Sequence, residues 1–175
     1  MSNFEDIRNA NRELRARTLK SGWRNEKRFR AFCEKTNRHW MKCTNDEDRF
    51  DKLDCRVNGY GVNVKTIKSL SSIWVEIWNS YDKPSTFLGE AKYIVYYVTD
   101  INHFFVFYRE ELLDFCIQYL KYDIVYTKQN HRPYRRSIYN KETGERKTYK
   151  GIVIGVAYED VSHLWHKKYD LSDIC

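Results

Sequence analysis

Apolar residues recur along this chain in two different periods. Among residues 1–20, Phe4, Ile7, Leu14 and Leu19 fall at roughly helical spacing between many charges, the pattern of a weakly docked, basic helical arm. In NEKRFRAFCEKTN (25–37), Phe29, Phe32 and Cys33 form an i, i+3, i+4 stripe. Glu26 precedes Phe29 by three residues, so a helix here turns Glu26 toward the interior. Strand-like runs follow at 48–57 (DRFDKLDCRV), 61–67 (GVNVKTI) and 73–79 (IWVEIWN), the first two joined by Asn58-Gly59, which predicts a meander of three strands. Beyond SYDKPSTFLGE, the runs AKYIVYYVTD and HFFVFY read as two more strands from their β-branched and aromatic content. Residues 109–120 read as an amphipathic helix with Leu112, Leu113, Cys116 and Leu120 on one face. A hairpin-like stretch at YNKETGERKTYKG, a strand at GIVIGVAY and a short helix at EDVSHLWHKKY complete the chain. This order predicts an α/β or α+β fold with a mixed sheet: a basic arm over 1–20 and one domain over 21–175.

Composition narrows the class. With 42% apolar and 31% charged residues the chain can bury a core and remain water-soluble. No run of 18 apolar residues occurs, and MSNFEDIRNANRELRARTLK lacks the apolar stretch of a signal peptide, so the expectation is a cytoplasmic protein with no membrane association. Cys33, Cys43, Cys55, Cys116 and Cys175 never form CxxC and are odd in number, which favours free thiols over disulfides or a zinc knuckle. Charge is segregated: residues 1–42 hold 12 Lys/Arg against 5 Asp/Glu, residues 121–150 hold 9 against 3, and the remainder 10 against 16. Basic flanks around an acidic middle suit an enzyme that tracks phosphates and gathers a metal at its centre, although solvated surface faces produce the same pattern.

The segment from Asp54 to Lys65 concentrates the chemistry. A carboxylate, a turn, and then Asn63 two residues before Lys65 place all three side chains on one face, because strand side chains alternate with period two. Acidic side chains supply the hard-cation site that phosphodiester cleavage needs, and a nearby lysine stabilises the charge of the transition state.

This arrangement resembles the PD-(D/E)xK nuclease superfamily, with Asp54 matching the first aspartate, Lys65 the lysine and Glu26 the glutamate of the preceding helix. The resemblance implies a restriction-endonuclease-like fold over about residues 20–120. It also implies a metal-dependent catalytic set of Glu26, Asp54, Asn63, Lys65 and Glu76, with Mg²⁺ or Mn²⁺ held by Asp54, Asn63 and Glu76. IWVEIWNS, GEAKYIVYYV and FFVFYREELL are similar to small phage-type and resolvase-like members. The departure is Asn63, which stands where the family carries Asp or Glu. Metal binding is then weaker, or another carboxylate compensates, Glu76 first among them, or catalysis has been lost.

Each residue also has a plainer reading. Asp51 competes with Asp54 for the first carboxylate, Lys65 also reads as a strand-edge lysine that discourages aggregation, and Glu76 between Trp74 and Trp78 also reads as solvent-facing. His39, His103, His131, His163 and His166 form no metal-binding spacing. Arg132, Tyr134, Arg135 and Arg136 interleave basic and aromatic groups as nucleic-acid-binding surfaces do, and Lys68 is a further phosphate contact. No Walker loop or dinucleotide fingerprint is present. The expected function is a Mg²⁺-dependent DNA endonuclease, a nicking or branched-DNA enzyme of the kind carried by phages. Its partner is DNA, and a homodimer is the candidate assembly. The alternatives are a catalytically degenerate DNA-binding module on the same fold and an RNA-binding accessory protein.

Overall fold

The computed structural model describes residues 22–78, 85–118, 132–139 and 146–172, without the side chains of 72, 78, 132–139 and 146–152. The arm over 1–20, Leu120 and Cys175 lie outside the described residues. The chain is α+β. A first helix, α1, occupies residues 22–35. Then come β1 (Trp40–Lys42), a π-helical turn (Glu47–Asp51), β2 (Cys55–Val57), β3 (Tyr60–Ile67), β4 (Ser72–Trp78), a 3₁₀ turn (Thr86–Leu88), β5 (Tyr93–Val98), β6 (His103–Tyr108), α2 (Arg109–Ile117), β7 (Arg132–Tyr139), β8 (Arg146–Ala157), α3 (Tyr158–Val161) and β9 (Trp165–Asp170).

Six strands form one sheet in the order β1-β2-β3-β5-β6-β9, and three form a second, β4-β8-β7. Among the described residues every strand pairing is antiparallel except β3 with β5. Ile94 to Val98 are all buried, as a central strand covered on both faces requires. One face of the large sheet packs α1 through Phe29, Phe32 and Cys33 against Cys55, Val62, Val95, Tyr97 and Phe104. The other carries the second sheet and α2, with Ile73, Val75, Ile77, Ile154 and Leu112 against Ile94, Tyr96, Phe105 and Phe107. Cys33, Cys43, Cys55 and Cys116 are buried free thiols, as anticipated. Among the described residues no helix is long and apolar enough to cross a membrane.

Three expectations are corrected. The strand at 73–79 does not extend the meander; β4 leaves the large sheet and pairs with β8. Its alternating Ile73, Val75 and Ile77 make one apolar face suited to a covering layer, whereas the continuous apolar run of β5 claims the central position beside β3. The run at 48–57 is a strand only over Cys55–Val57. Before it, Thr44 and Glu47 close a reciprocal capping box, with Thr44 N–H donating to Glu47 Oε2 at 2.8 Å and Glu47 N–H to Thr44 Oγ1 at 3.2 Å, which starts a helical turn instead. Lys52, with φ of 61°, ends that turn in the left-handed region. Last, EDVSHLWHKKY is helical only over Tyr158–Val161, and Trp165–Asp170 is an edge strand against β6. Lys167 and Lys168 protect that edge.

Two local features hold the hairpin end. Asn58 and Gly59 both have positive φ, 49° and 85°, the conformation of a tight β2-β3 turn. Gly89 packs so closely on Asp51 and Lys52 that a Cβ there meets backbone and side-chain atoms, and Glu90 N–H donates to the Asp51 carbonyl at 2.8 Å. Gly89→Ala is therefore expected to push the 51–54 segment away and cost about 1–3 kcal/mol, read as a lower midpoint in urea unfolding. An unchanged midpoint would show that this approach is not tight.

Candidate functional site

β2 and β3 pair with Cys55 opposite Val62, and Asp54 N–H donates to the Val62 carbonyl at 3.0 Å. Asp54 precedes β2 by one residue, and on β3 Asn63 and Lys65, two residues apart, share the face opposite Val62 and Val64, which pack with α1. The expected alternation puts Asn63 and Lys65 on one face of β3, and Asp54, outside the strand, reaches β3 through its carboxylate. Asp54 Oδ2 accepts the Val64 N–H at 2.6 Å, which ties the carboxylate to the neighbouring strand.

Asn63 is buried, at 4% exposure. Its Nδ2 donates to the Lys52 carbonyl at 3.1 Å, bracing the left-handed residue that closes the π-helical turn. Its Oδ1 is buried without a hydrogen-bond partner. A buried amide oxygen with no donor costs about 1–3 kcal/mol, and it is an acceptor of the kind that hard cations take.

Lys65 Nζ donates to Thr86 Oγ1 at 3.0 Å. Ser85 Oγ donates to Glu76 Oε2 at 2.9 Å, and Ser85 N–H to the Ile77 carbonyl at 3.0 Å. The adjacent buried residues Ser85 and Thr86 therefore link Lys65 on β3 to Glu76 on β4. Reading the chain alone missed both, because their role depends on a loop that crosses between two sheets. Glu76 is half-buried, on the strand face opposite Ile73, Val75 and Ile77.

Burial pushes the Lys65 ammonium below its ordinary pKa, opposed by the charges of Asp54, Glu76 and Asp48. Burial pushes Asp54 up, against the Val64 N–H and Lys65, with Asp48 adding to the rise. Glu26 is raised by burial first and then by Asp54 and Asp48, with Lys42 opposing. The helix glutamate, predicted to turn inward, is half-buried and lies within the electrostatic reach of Asp54. Asp48, on the π-helical turn, acts on Glu26, Asp54 and Lys65 alike, whereas among these three Glu76 acts on Lys65 alone. Sequence reading passed over Asp48 because it assigned that stretch to a strand; the Thr44-x-x-Glu47 capping box was the available signal.

Asp51 lies in the π-helical turn and spends its carbonyl on Glu90. Lys68 is exposed at the end of β3, its carbonyl accepting the Asp100 N–H at 3.0 Å. Arg132, Tyr134, Arg135 and Arg136 belong to β7 by backbone, and their side chains lie outside the described residues.

Among the described residues no three His, Cys, Asp or Glu side chains converge as a metal set. A hard cation here would take Asp54, the free Asn63 Oδ1 and backbone or water oxygens, a set that suits Mg²⁺, which keeps several waters and needs only one or two carboxylates.

The electrostatics give a test that needs no substrate. A carboxyl whose folded pKa is raised adds stability below its unfolded pKa and loses it as pH rises through the folded value. Glu26→Gln removes that loss, so the variant should melt about 1–3 °C above the wild type near pH 8, converging with it as the pH falls through the raised pKa of Glu26. A variant that melts lower at pH 8 would contradict the crowding of Glu26, Asp54 and Asp48.

No protein-family model, curated protein or solved structure matches this chain.

Proposed function

We propose that this chain is a divalent-metal-dependent DNA endonuclease of the PD-(D/E)xK type, on a variant of the restriction-endonuclease-like fold. The observation that carries the reading is the gathering of Asp54, Asn63 and Lys65 at the β2-β3 hairpin, Asp54 bound to the Val64 N–H and acting on Lys65, with a buried Asn63 oxygen that has no protein partner. Helix α1 bearing Glu26, the β2-β3 hairpin and the parallel β3-β5 pair support the fold assignment. The excursion of β4 into a second sheet is this chain's departure from it.

Mg²⁺ or Mn²⁺ bound by Asp54 and Asn63 Oδ1 would supply Lewis acidity at the scissile phosphate. Lys65, held by Thr86, faces the same site, with burial lowering its pKa against the charges of Asp54, Glu76 and Asp48, and it would place positive charge beside the phosphate. Asp48 takes the part of the second acid more readily than Glu76, since its charge reaches Asp54. Glu76 positions Lys65 through Ser85 and Thr86. The basic flanks would hold the DNA backbone.

The reading of an inert DNA-binding module draws on Asn63 itself, an amide where a second acid would strengthen the site. Incubation of purified protein with supercoiled plasmid separates the two. The proposal expects nicked or linear product with Mg²⁺ or Mn²⁺ and none with EDTA. Salt-sensitive binding without any cutting in either metal would establish the module instead.

A further inference from the structure

We propose that the α1 face of the large sheet, at its hairpin end, is a stacking platform for single-stranded nucleic acid. This deepens the nucleic-acid reading above but occupies the sheet face opposite Asn63 and Lys65. Four neighbouring strands, β3, β5, β6 and β9, each bring one ring to this end: Tyr60, Tyr93, Tyr108 and His166. Tyr93 lies 5.9 Å from Tyr60, 5.1 Å from Tyr108 and 6.1 Å from His166, the last pair stacked at 23°. Tyr108 and His166 are 4.6 Å apart. The row is open at its ends, with Tyr60 49% exposed and His166 exposed.

Cations interleave with the rings. Lys92 Nζ sits 4.0 Å from the Tyr60 ring centroid and 5.5 Å from that of Tyr93. Arg38 and Lys167 line the adjoining groove of about 180 Å³, about six water molecules' share of liquid volume and the scale of one heterocyclic ring. Arg38 donates to Tyr169 Oη at 3.0 Å through Nη2, while its Nη1 has no partner. Rings on a sheet surface stack unpaired bases whatever their sequence, and the exposed Lys92 and Lys167 match the phosphates between them. A duplex keeps its bases stacked internally and cannot use such a row.

The test is fluorescence anisotropy with labelled 12-mers of dT and of U and a 12-bp DNA duplex, in EDTA so that cleavage plays no part. Tyr60→Ala should weaken binding of the single strands by about tenfold, Tyr60→Phe by less than twofold, and Lys92→Ala should flatten the salt slope by about 0.7. Duplex affinity should be unaffected by Tyr60→Ala. The relative affinities for dT and U identify which strand the platform prefers. Failure of either single strand to bind wild type, an unchanged affinity in Tyr60→Ala, or an equal loss for duplex and single strand would overturn the proposal. Each can occur with metal-dependent plasmid cleavage intact, so this inference and the nuclease reading fail separately.

Discussion

Asp54→Asn is expected to lower Mg²⁺-dependent plasmid cleavage by about a thousandfold, with the fold and DNA affinity preserved. The asparagine oxygen still accepts the Val64 N–H that the carboxylate accepts at 2.6 Å, so the local ladder survives. What is lost is the anionic ligand for a hard cation and the charge opposing burial of Lys65. Losing one well-placed electrostatic group alone costs about 10²–10³ in rate; losing the metal with it places the effect at the upper end. In the metal-free protein burial raises the Asp54 pKa, so protons compete with the cation for this carboxylate, and the Mg²⁺ concentration needed for half-maximal cleavage should rise on acidification. Cleavage by Asp54→Asn within tenfold of wild type, in a sample with unchanged circular dichroism, would remove Asp54 from the site.

Asn63→Asp should have a large effect of a different kind. In the metal-free protein it replaces an N–H donor with an oxygen facing the Lys52 carbonyl, and it buries a second carboxylate beside Asp54. An unsatisfied buried group costs about 1–3 kcal/mol and more when charged, so the variant should lose about 3 kcal/mol, or roughly 6–12 °C in melting temperature, in EDTA. Millimolar Mn²⁺ should return most of that loss, since binding to the folded state alone stabilises it by mass action and two carboxylates hold a hard cation better than one. A variant as stable as wild type in EDTA would mean that the Asn63 amide does not brace Lys52. One that Mn²⁺ fails to stabilise would mean that no cation meets residue 63.

The parts of this molecule legible from the chain were those with short-range signals. Asn58-Gly59 set the hairpin turn, and period-two alternation put Asn63 and Lys65 on one face of β3. The unbroken apolar run of 94–98 marked a strand, and Leu112, Leu113 and Cys116 marked α2. Strand partnership was not legible: Ile73, Val75 and Ile77 present one apolar face whether β4 extends the first sheet or covers it, and only competition with β5 for the edge of β3 decides. The final segment failed for a similar reason, because Leu164, Trp165 and Tyr169 fit a helical stripe about as well as an edge strand, and pairing with β6 settles it. At the site, the residues found from sequence lie on the hairpin itself. Those missed, Asp48, Ser85 and Thr86, arrive from a turn and a loop whose positions depend on Gly89 packing against Asp51 and on the passage between the two sheets.

The central claim is that Asp54 and Asn63 form a divalent-cation site, and titration of Mn²⁺ into the protein, following the electron paramagnetic resonance of the free ion, tests it most directly. The account predicts one saturable site in the wild type, displaced by excess Mg²⁺, absent in Asp54→Asn and tightened in Asn63→Asp. Equal binding in wild type and Asp54→Asn, or no saturable binding in any of the three proteins, would contradict it.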